Sequence, residues 1–339
     1  MRASNRSRRE WRLFFGLSLG SALISAWFGY NQNDETSPLH SALVGVAASI
    51  VIATPIMLLE LKGRRTLLRR GRRLPLLAYL GLKIAFYMVA ILGGLMLVRA
   101  LNISTNRAFD AAFGHSILFA VAMSVTANLV FEMGGLLGYG TLKNLLLGRY
   151  VQPRREQRAF LLIDMKDSTG MAERLGPVKF HELLNDFFRD VSDAALECDA
   201  EIHKYVGDEA ILTWRGGGAL ADGDCLRCSF VARELIERHR SEYMARYGAV
   251  PAFRAAIHYG EIVAGEICDV RRESAYVGDT LNVAARLLDA AKELGRDILV
   301  SDELLAQAPL PAGLRIEKLP TLTVRGRAAP LAIAALASA

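Results

Sequence analysis

Hydrophobic positions follow one pattern before about residue 140 and another after it. In the first part they run together, and residues 13–30, 39–61, 74–98 and 113–139 each approach the roughly 20 residues a helix needs to cross a bilayer core. Beyond residue 157 the apolar runs are short or periodic. Residues 159–163 form an unbroken apolar run that ends at Asp164, the pattern of a buried strand entering a helix start at Asp167-Ser168-Thr169. Residues 178–196 carry Phe180, Leu183, Leu184, Phe187, Phe188, Val191 and Ala195 at helical spacing. Residues 201–214 read as two strands about a Val206-Gly207-Asp208 tip, and residues 222–247 as one helix. A second hairpin is predicted from 253–258 and 261–267 about Tyr259-Gly260. After it come a strand at 275–277, a helix at 280–293, a strand at 298–300 and three weak strands near 314–317, 322–324 and 331–336. Strands interleaved with helices in this way predict an α/β sandwich with a mixed sheet. The chain then divides into a four-helix membrane domain (1–140), a connector (141–157) and an α/β domain (158–339).

Charge divides at the same place. Residues 1–155 hold 19 Lys+Arg against 6 Asp+Glu, a net +13; residues 156–339 hold 22 against 29, a net −7. The sequence pI of about 9.2 therefore reports basic flanks of membrane segments, which argues against a nucleic-acid surface. Five arginines, Arg2 to Arg12, precede the first apolar stretch. Seven cations from Lys62 to Arg73 fill the loop after the second, and Lys143, Arg149, Arg154 and Arg155 follow the fourth. The positive-inside rule then puts both termini and the α/β domain in the cytoplasm of a multi-pass inner-membrane protein. No small-residue cleavage site precedes Asn31, so the first stretch reads as a retained helix.

Four polar residues interrupt the apolar stretches. Lys83 and Glu60 are expected to snorkel from span ends. Asn128 and Glu132, four residues apart and deeper, are expected to face the bundle interior or a partner helix, in a structural hydrogen bond or a sensing or ion-binding role. Glycines 134, 135, 138 and 140 allow close packing or a kink before the cytoplasm. In the connector, Leu142, Leu145 and Leu146 have helical spacing, with Gly148 and Pro153 as stops. Cys225 and Cys228 have the spacing of a redox or zinc pair but lack a second pair or a His doublet, and they share a helix face with Ala232, Leu235, Ile236 and Tyr243. Core packing is the expectation for them.

The candidate chemistry lies in the second half. Turn chemistry accounts for Gly207 and equally for Asp208, so the hairpin alone reads as structure or as a site. Asp164 adds a second carboxylate at a strand end, beside a helix start whose N–H groups suit phosphate oxygens; such a pair suits a metal–triphosphate site. Asn282 and Arg286 share one face of the 280–293 helix, off its apolar stripe of Leu281, Ala284, Ala285, Leu288 and Ala291. They read as solvated surface or as groups that hold a sugar and a transferring phosphate.

Four motifs stand in order: Phe160-Leu161-Leu162-Ile163-Asp164, Lys204-Tyr205-Val206-Gly207-Asp208, His258-Tyr259-Gly260-Glu261-Ile262-Val263-Ala264-Gly265, and Gly278-Asp279-Thr280-Leu281-Asn282-Val283-Ala284-Ala285-Arg286. Through them residues 157–337 resemble the class III nucleotide cyclase catalytic domain. The resemblance implies a ferredoxin-like mixed sheet and conversion of ATP to 3′,5′-cyclic AMP and pyrophosphate. It implies that Asp164 and Asp208 bind two Mg²⁺ or Mn²⁺ ions, with a backbone carbonyl from Met165. Asn282 matches the ribose-orienting position and Arg286 the one that stabilises the α-phosphate. Lys204 matches the purine reader, as in adenylate cyclases, and Arg325 the terminal-phosphate position. Ser168-Thr169 stands where the family has an aromatic-Thr pair. Ala275 replaces the Asp or Thr that partners the purine reader, and Cys268 stands where Gly is common. The resemblance also implies a homodimer with sites shared between chains. The alternatives are a guanylate cyclase, a diguanylate cyclase suggested by Gly207-Asp208-Glu209, and a catalytically silent membrane receptor that signals by dimerisation. What the membrane helices bind, whether lipid, ion, small molecule or partner protein, is left open by the sequence.

Overall fold

The computed structural model describes residues 5–31, 37–61, 75–100, 111–267, 273–323 and 330–339. They form two compact units, Ser7–Tyr139 and Gly140–Ala339.

The first unit contains helices α1 (Asn5–Tyr30), α2 (Pro38–Leu61), α3 (Leu76–Ala100) and α4 (Ala111–Leu137). Among the described residues three stretches, Pro38–Glu60, Ala78–Ala100 and Gly114–Gly135, are long and apolar enough to cross a membrane. The apolar part of α1 is the shorter run Phe14–Tyr30, so three of the four expected spans reach that length. Small residues let α1 and α2 approach: a Cβ on Gly29 would strike the Ser41 carbonyl, and one on Gly45 the Ser25 carbonyl. The Ser21 and Ser49 hydroxyls hydrogen-bond at 2.8 Å across the same pair. Ile52, Ile56, Tyr87 and Ile91 form the bundle's buried apolar cluster. Lys83 and Glu60 do not snorkel. Both are buried and 2.6 Å apart, because Glu132 and Asn128 of α4 also turn inward and offer Lys83 two more acceptors. Gly138, at φ 84°, separates α4 from α5 (Tyr139–Leu146).

The second unit is built on one sheet in the order β2-β3-β1-β4-β6-β8-β7, with β5 paired to β4. The strands are β1 (Arg154–Met165), β2 (Glu201–Val206), β3 (Glu209–Arg215), β4 (Phe253–Ile267), β5 (Glu273–Val277), β6 (Ile298–Ser301), β7 (Leu314–Leu322) and β8 (Leu331–Ser338). Among the described residues only β4–β6 is parallel; the other pairings are antiparallel. Helices α6 (Ser168–Leu175), α7 (Pro177–Glu197), α8 (Asp224–Arg238), α9 (Arg240–Tyr247) and the short α11 (Asp302–Leu305) contribute to the core on one face. Helix α10 (Asp279–Glu293) covers the other. This explains the unbroken run at 159–163: Ala159, Leu161 and Ile163 pack on the first face and Phe160 and Leu162 on the second.

Three departures from the sequence pattern have local causes. The second predicted hairpin does not exist, because β4 runs straight through Tyr259-Gly260 and pairs with β1 from Arg154↔Ala264 to Met165↔Phe253. Gly260 is absent from the positive-φ residues; it is glycine because a Cβ there would lie 2.6 Å from Thr280 Oγ1. The return strand is instead β5, opposite Val263 to Ile267. The predicted 222–247 helix breaks at His239, whose Nδ1 is 2.9 Å from Asp190 Oδ1. The first two weak C-terminal strands are one, β7, irregular between Leu319 and Leu322 where Pro320 cannot donate to the ladder. Residues 324–329 and 268–272, which include Arg325 and Cys268, lie outside the described residues.

The connector forms α5, turns at Gly148 (φ 59°) and enters β1 after Pro153. Tyr150 is buried, and its hydroxyl accepts from Arg158 at 2.9 Å and donates to Glu156 at 3.1 Å. Arg158 is fully buried in the sheet and paired with Glu156 at 3.0 Å and Glu201 at 2.9 Å. Cys225 and Cys228 are core residues, as expected. Burial pushes the Cys225 thiol up to about 12, and a hydrogen bond with Cys198 followed by burial raises Cys228.

Candidate active site

The sheet brings two strand ends together. Asp164, one residue before the end of β1, stands in register with Glu209, the first residue of β3; Gly207 and Asp208 form the two-residue tip between β2 and β3. Gly207 has φ 61°, a conformation strained for a residue with a Cβ, so glycine there keeps the tip tight and Asp208 beside Asp164.

Four carboxylates share this corner, two of them unforeseen. Burial, then the charge of Asp208, pushes Asp164 up to about 6; Asp289 adds to the rise, while Lys292 and Arg254 oppose it. Burial, then Asp164, Asp208 and Asp289, pushes Glu209 up to about 7. Carboxylates that raise one another in this way are short of positive charge, and a hard divalent cation with oxygen ligands is the group that supplies it. The donor set therefore fits such a cation at Asp164 and Asp208. Among the described residues no three His, Cys, Asp or Glu side chains already converge as a ligand set, so backbone oxygen or substrate oxygen must complete it. The Met165 side chain is buried in the core, which leaves its backbone as the available donor. Glu209 was legible as the residue after Asp208, and Asp289 as the residue three beyond Arg286; only the register and the helix packing bring them to Asp164.

Helix α6 begins at Ser168, directly after this corner. The N-cap is Asp167, held at φ 55° without a side-chain capping bond, so neither Ser168 nor Thr169 caps. A Cβ on Gly170 would strike Asp167 Oδ1, so glycine admits the close side chain.

The residues matched to base reading sit on two strands that do not pair with each other, β2 and β5. Lys204 is exposed on β2, just past a register shift between Ile202 and Lys204, and the ring of His203 lies 4.5 Å from that of Tyr276. Tyr276 follows Ala275 on β5, and the Arg158 guanidinium lies 4.6 Å from the centre of its ring. The aromatic contact thus draws the Lys204 strand toward the Ala275 strand.

Asn282 and Arg286 are exposed on α10. The buried stripe of that helix is Thr280, Val283, Ala284, Leu287, Leu288, Ala290 and Ala291, shifted from the predicted one, with Ala285 exposed. No hydrogen bond or ion pair of the described residues joins Asn282 or Arg286 to Asp164 or Asp208. The cations acting most strongly on Asp164 are Lys292 and Arg254. A cavity of about 550 Å³ beside His258, Gly260 and Asp279 contains none of the predicted site residues.

Residues 151–332 match the adenylate and guanylate cyclase catalytic domain. The chain belongs to the class III nucleotide cyclases. It is 34% identical over 324 residues to adenylate cyclase 2 of Rhizobium meliloti (strain 1021), covering 94% of this chain and 87% of that protein. That likeness extends into the apolar half. Adenylate cyclase 1 of the same organism is 26% identical over 323 residues, covering 88% of this chain and 46% of that one. Among solved structures, a bacterial light-regulated adenylyl cyclase shares the fold, with TM-score 0.52, 14% identity, and coverage of 63% of this chain and 64% of its own. This cyclase is therefore an enzyme of nucleotide cyclisation whose catalytic domain follows several apolar helices.

Proposed function

We propose that this cyclase is a membrane-bound adenylate cyclase that converts ATP to 3′,5′-cyclic AMP and pyrophosphate at two equivalent sites of a homodimer. The observation that carries the reading is the separation within one chain. Among the described residues no hydrogen bond or ion pair joins Asp164 or Asp208 to Asn282 or Arg286, which stand exposed on α10 as groups offered to a second chain. Exposed apolar residues support a partner: Ile202, Tyr205 and Val206 along β2, and the cross-strand pair Val263 and Val277.

Asp164 and Asp208, with the Met165 carbonyl, would hold two divalent cations, Mg²⁺ or Mn²⁺. Bound there, such ions supply Lewis acidity toward the ribose 3′-hydroxyl and charge neutralisation for the triphosphate. Asn282 orients the ribose. The guanidinium of Arg286 donates to the α-phosphate oxygens as negative charge grows on them, while a bond forms from the 3′-oxygen to the α-phosphorus and the bond to pyrophosphate breaks. The 3′-hydroxyl proton leaves to solvent. N–H groups at the start of α6, around Ser168 and Thr169, face the triphosphate, and Arg325 takes its terminal oxygens. Lys204 donates to the N1 acceptor of adenine; guanine presents a donor at that edge and repels it. With a methyl group at Ala275, selectivity rests on Lys204 and backbone. The helices α1 to α4 cross the inner membrane with both termini in the cytoplasm, α1 being the fourth span.

Full-length protein in lipid, given Mn²⁺ and ATP, is expected to form cyclic AMP, and GTP to give far less product. Asp208→Ala and Arg286→Ala should each be inactive. An equal mixture of the two should recover about a quarter of wild-type activity, since half the dimers are mixed and each has one intact site. No recovery would sink the shared site, and equal turnover of GTP would sink the adenylate assignment.

A further inference from the structure

The four helices of the membrane unit line one long cavity of about 390 Å³. Its wall runs from Gly16 to Gly29 on α1, from His40 to Met57 on α2 and from Ser116 to Phe131 on α4, with Leu95, Val98 and Arg99 closing it from α3. By the rise of a helix the α2 stretch is about 25 Å long, most of the depth of a hydrocarbon core. A space of that length and volume is narrow. Small residues create it: Gly16, Gly20, Gly45 and Ala48 stand in the wall, and a Cβ built on Gly16 or Gly20 would meet no atom within 4 Å. Helices in lipid are held together mainly by packing, so a molecule in this slot contributes contacts that its walls do not make with one another.

The two ends of the slot differ in chemistry. Toward Met57 the wall is apolar, with Ile52, Ile56 and Phe131. Midway, the Ser21 and Ser49 hydroxyls answer each other at 2.8 Å. At the other end stand His40, Ser41, Arg99 and Ser116, drawn from three helices. His40 is the third residue of α2, Arg99 the last but one of α3 and Ser116 the sixth of α4, so all lie at the end of the bundle away from α5. His40 Nε2 is buried and has no hydrogen-bond partner among the described residues. Phe28 and Phe119 stack at 4.0 Å beside this end and join α1 to α4. No Asp or Glu is among the described residues that line the cavity. A guanidinium, an imidazole and two hydroxyls at one end of an apolar slot, without an acid in its wall, suit an anionic head on a long apolar tail.

We propose that this cavity is a binding site for a long-chain fatty carboxylate, its carboxylate held by Arg99 and His40 and its alkyl chain lying between α1, α2 and α4 toward Met57. The planar guanidinium matches the two oxygens of a carboxylate. A bilayer phospholipid brings two chains to a slot with room for one, and a fatty alcohol of the same length brings no charge to Arg99. Because all four helices line the slot, its occupant fixes their spacing.

Photolabelling of the full chain in phospholipid vesicles tests this, with a hexadecanoate that carries a diazirine on its chain and peptide mapping of the sites it marks. Wild-type protein is expected to label saturably on cavity residues of α1, α2 and α4. Unlabelled hexadecanoate is expected to compete at least about tenfold better than hexadecanol, the margin of one charge-assisted hydrogen bond; added phospholipid should not compete. Arg99→Gln is expected to weaken labelling by at least about tenfold and to remove the preference for the acid over the alcohol. Gly20→Leu, which fills the slot where a Cβ meets nothing, is expected to abolish labelling, and it serves if Arg99→Gln does not fold. Labelling that does not saturate, that falls instead on outward residues such as Leu23 and Val89, that hexadecanol or phospholipid displaces as well as the acid does, or that survives Gly20→Leu unchanged would overturn the proposal.

Discussion

Glu60 and Asp164 are both carboxylates set against apolar walls, and their surroundings are opposite. Glu60 has the Lys83 ammonium 2.6 Å away and accepts from Tyr87, whereas Asp164 stands in register with Glu209 and feels Asp208 and Asp289, with Lys292 and Arg254 as the counterweight. The difference follows from what can reach each place. Ions do not arrive from a hydrocarbon core, so a charge there must be answered by the chain itself. A corner at the edge of a sheet is open to solvent cations, so it can be left short of positive charge and completed by what binds. An acidic cluster short of positive charge in the catalytic unit therefore marks a site, while in the bundle the acids Glu60 and Glu132 answer the buried Lys83.

The largest effect that would break this comparison is on catalysis. Asp164→Asn removes one ligand charge and is expected to lower cyclase activity by at least about a thousandfold, consistent with several kcal/mol of metal-borne stabilisation. The same variant sharpens the electrostatic half of the contrast. Asp164 has a folded-state value of about 6 and Glu209 one of about 7, both above their ordinary values, so the folded protein binds the extra protons. Without metal, stability should fall as pH rises from about 4 to 7 and then level off; the Asp164 share is up to about 2 kcal/mol. Denaturation curves across that window should flatten in Asp164→Asn and when Mn²⁺ is added to wild type. An unchanged slope in both would mean that the corner is not short of positive charge.

Next in size is Arg158, a buried and compensated cation of the catalytic unit. Arg158→Ala removes the buried cation paired with Glu156 and Glu201 and a donor to Tyr150, and is expected to cost about 3 kcal/mol in chemical denaturation. A loss below about 1 kcal/mol would show that compensation of a buried charge matters less here than in the bundle. The smallest effect concerns packing alone: Gly260→Ala pushes a methyl group toward Thr280 Oγ1 and is expected to cost about 1–2 kcal/mol, read as a lowered melting temperature. If Gly260 served a turn instead, the substitution would also disrupt the register of β4 on β1, which amide exchange would detect.

Much of the second unit was legible because amphipathic period and strand-end chemistry are local. Residues 178–196 became α7 almost unchanged, and the 201–214 hairpin formed about Gly207 as its spacing predicts. The second hairpin was misread for an equally local reason. Glycine beside tyrosine between two apolar runs carries a turn signal, and nothing in the sequence tells a glycine that turns from one that makes room for a side chain 20 residues away. Snorkelling of Lys83 and Glu60 failed similarly, because nearness to a span end says nothing of what the neighbouring helices present. Glu209 and Asp289 were missed because their membership of the acidic corner depends on strand register and helix packing.

By itself the sequence determined where the chain is apolar, where its charge changes sign, and which residue types stand at the ends of its strands and on the faces of its helices. These are one-dimensional properties, written in spacing and composition. The tertiary structure alone decided the pairings: Lys83 with two acids from other helices, Gly260 with Thr280, and Asp164 with three carboxylates, while Asn282 and Arg286 remained facing outward. Pairing across a sheet or between helices depends on register and packing among distant segments, and it is these contacts that fix how much charge each carboxylate must carry.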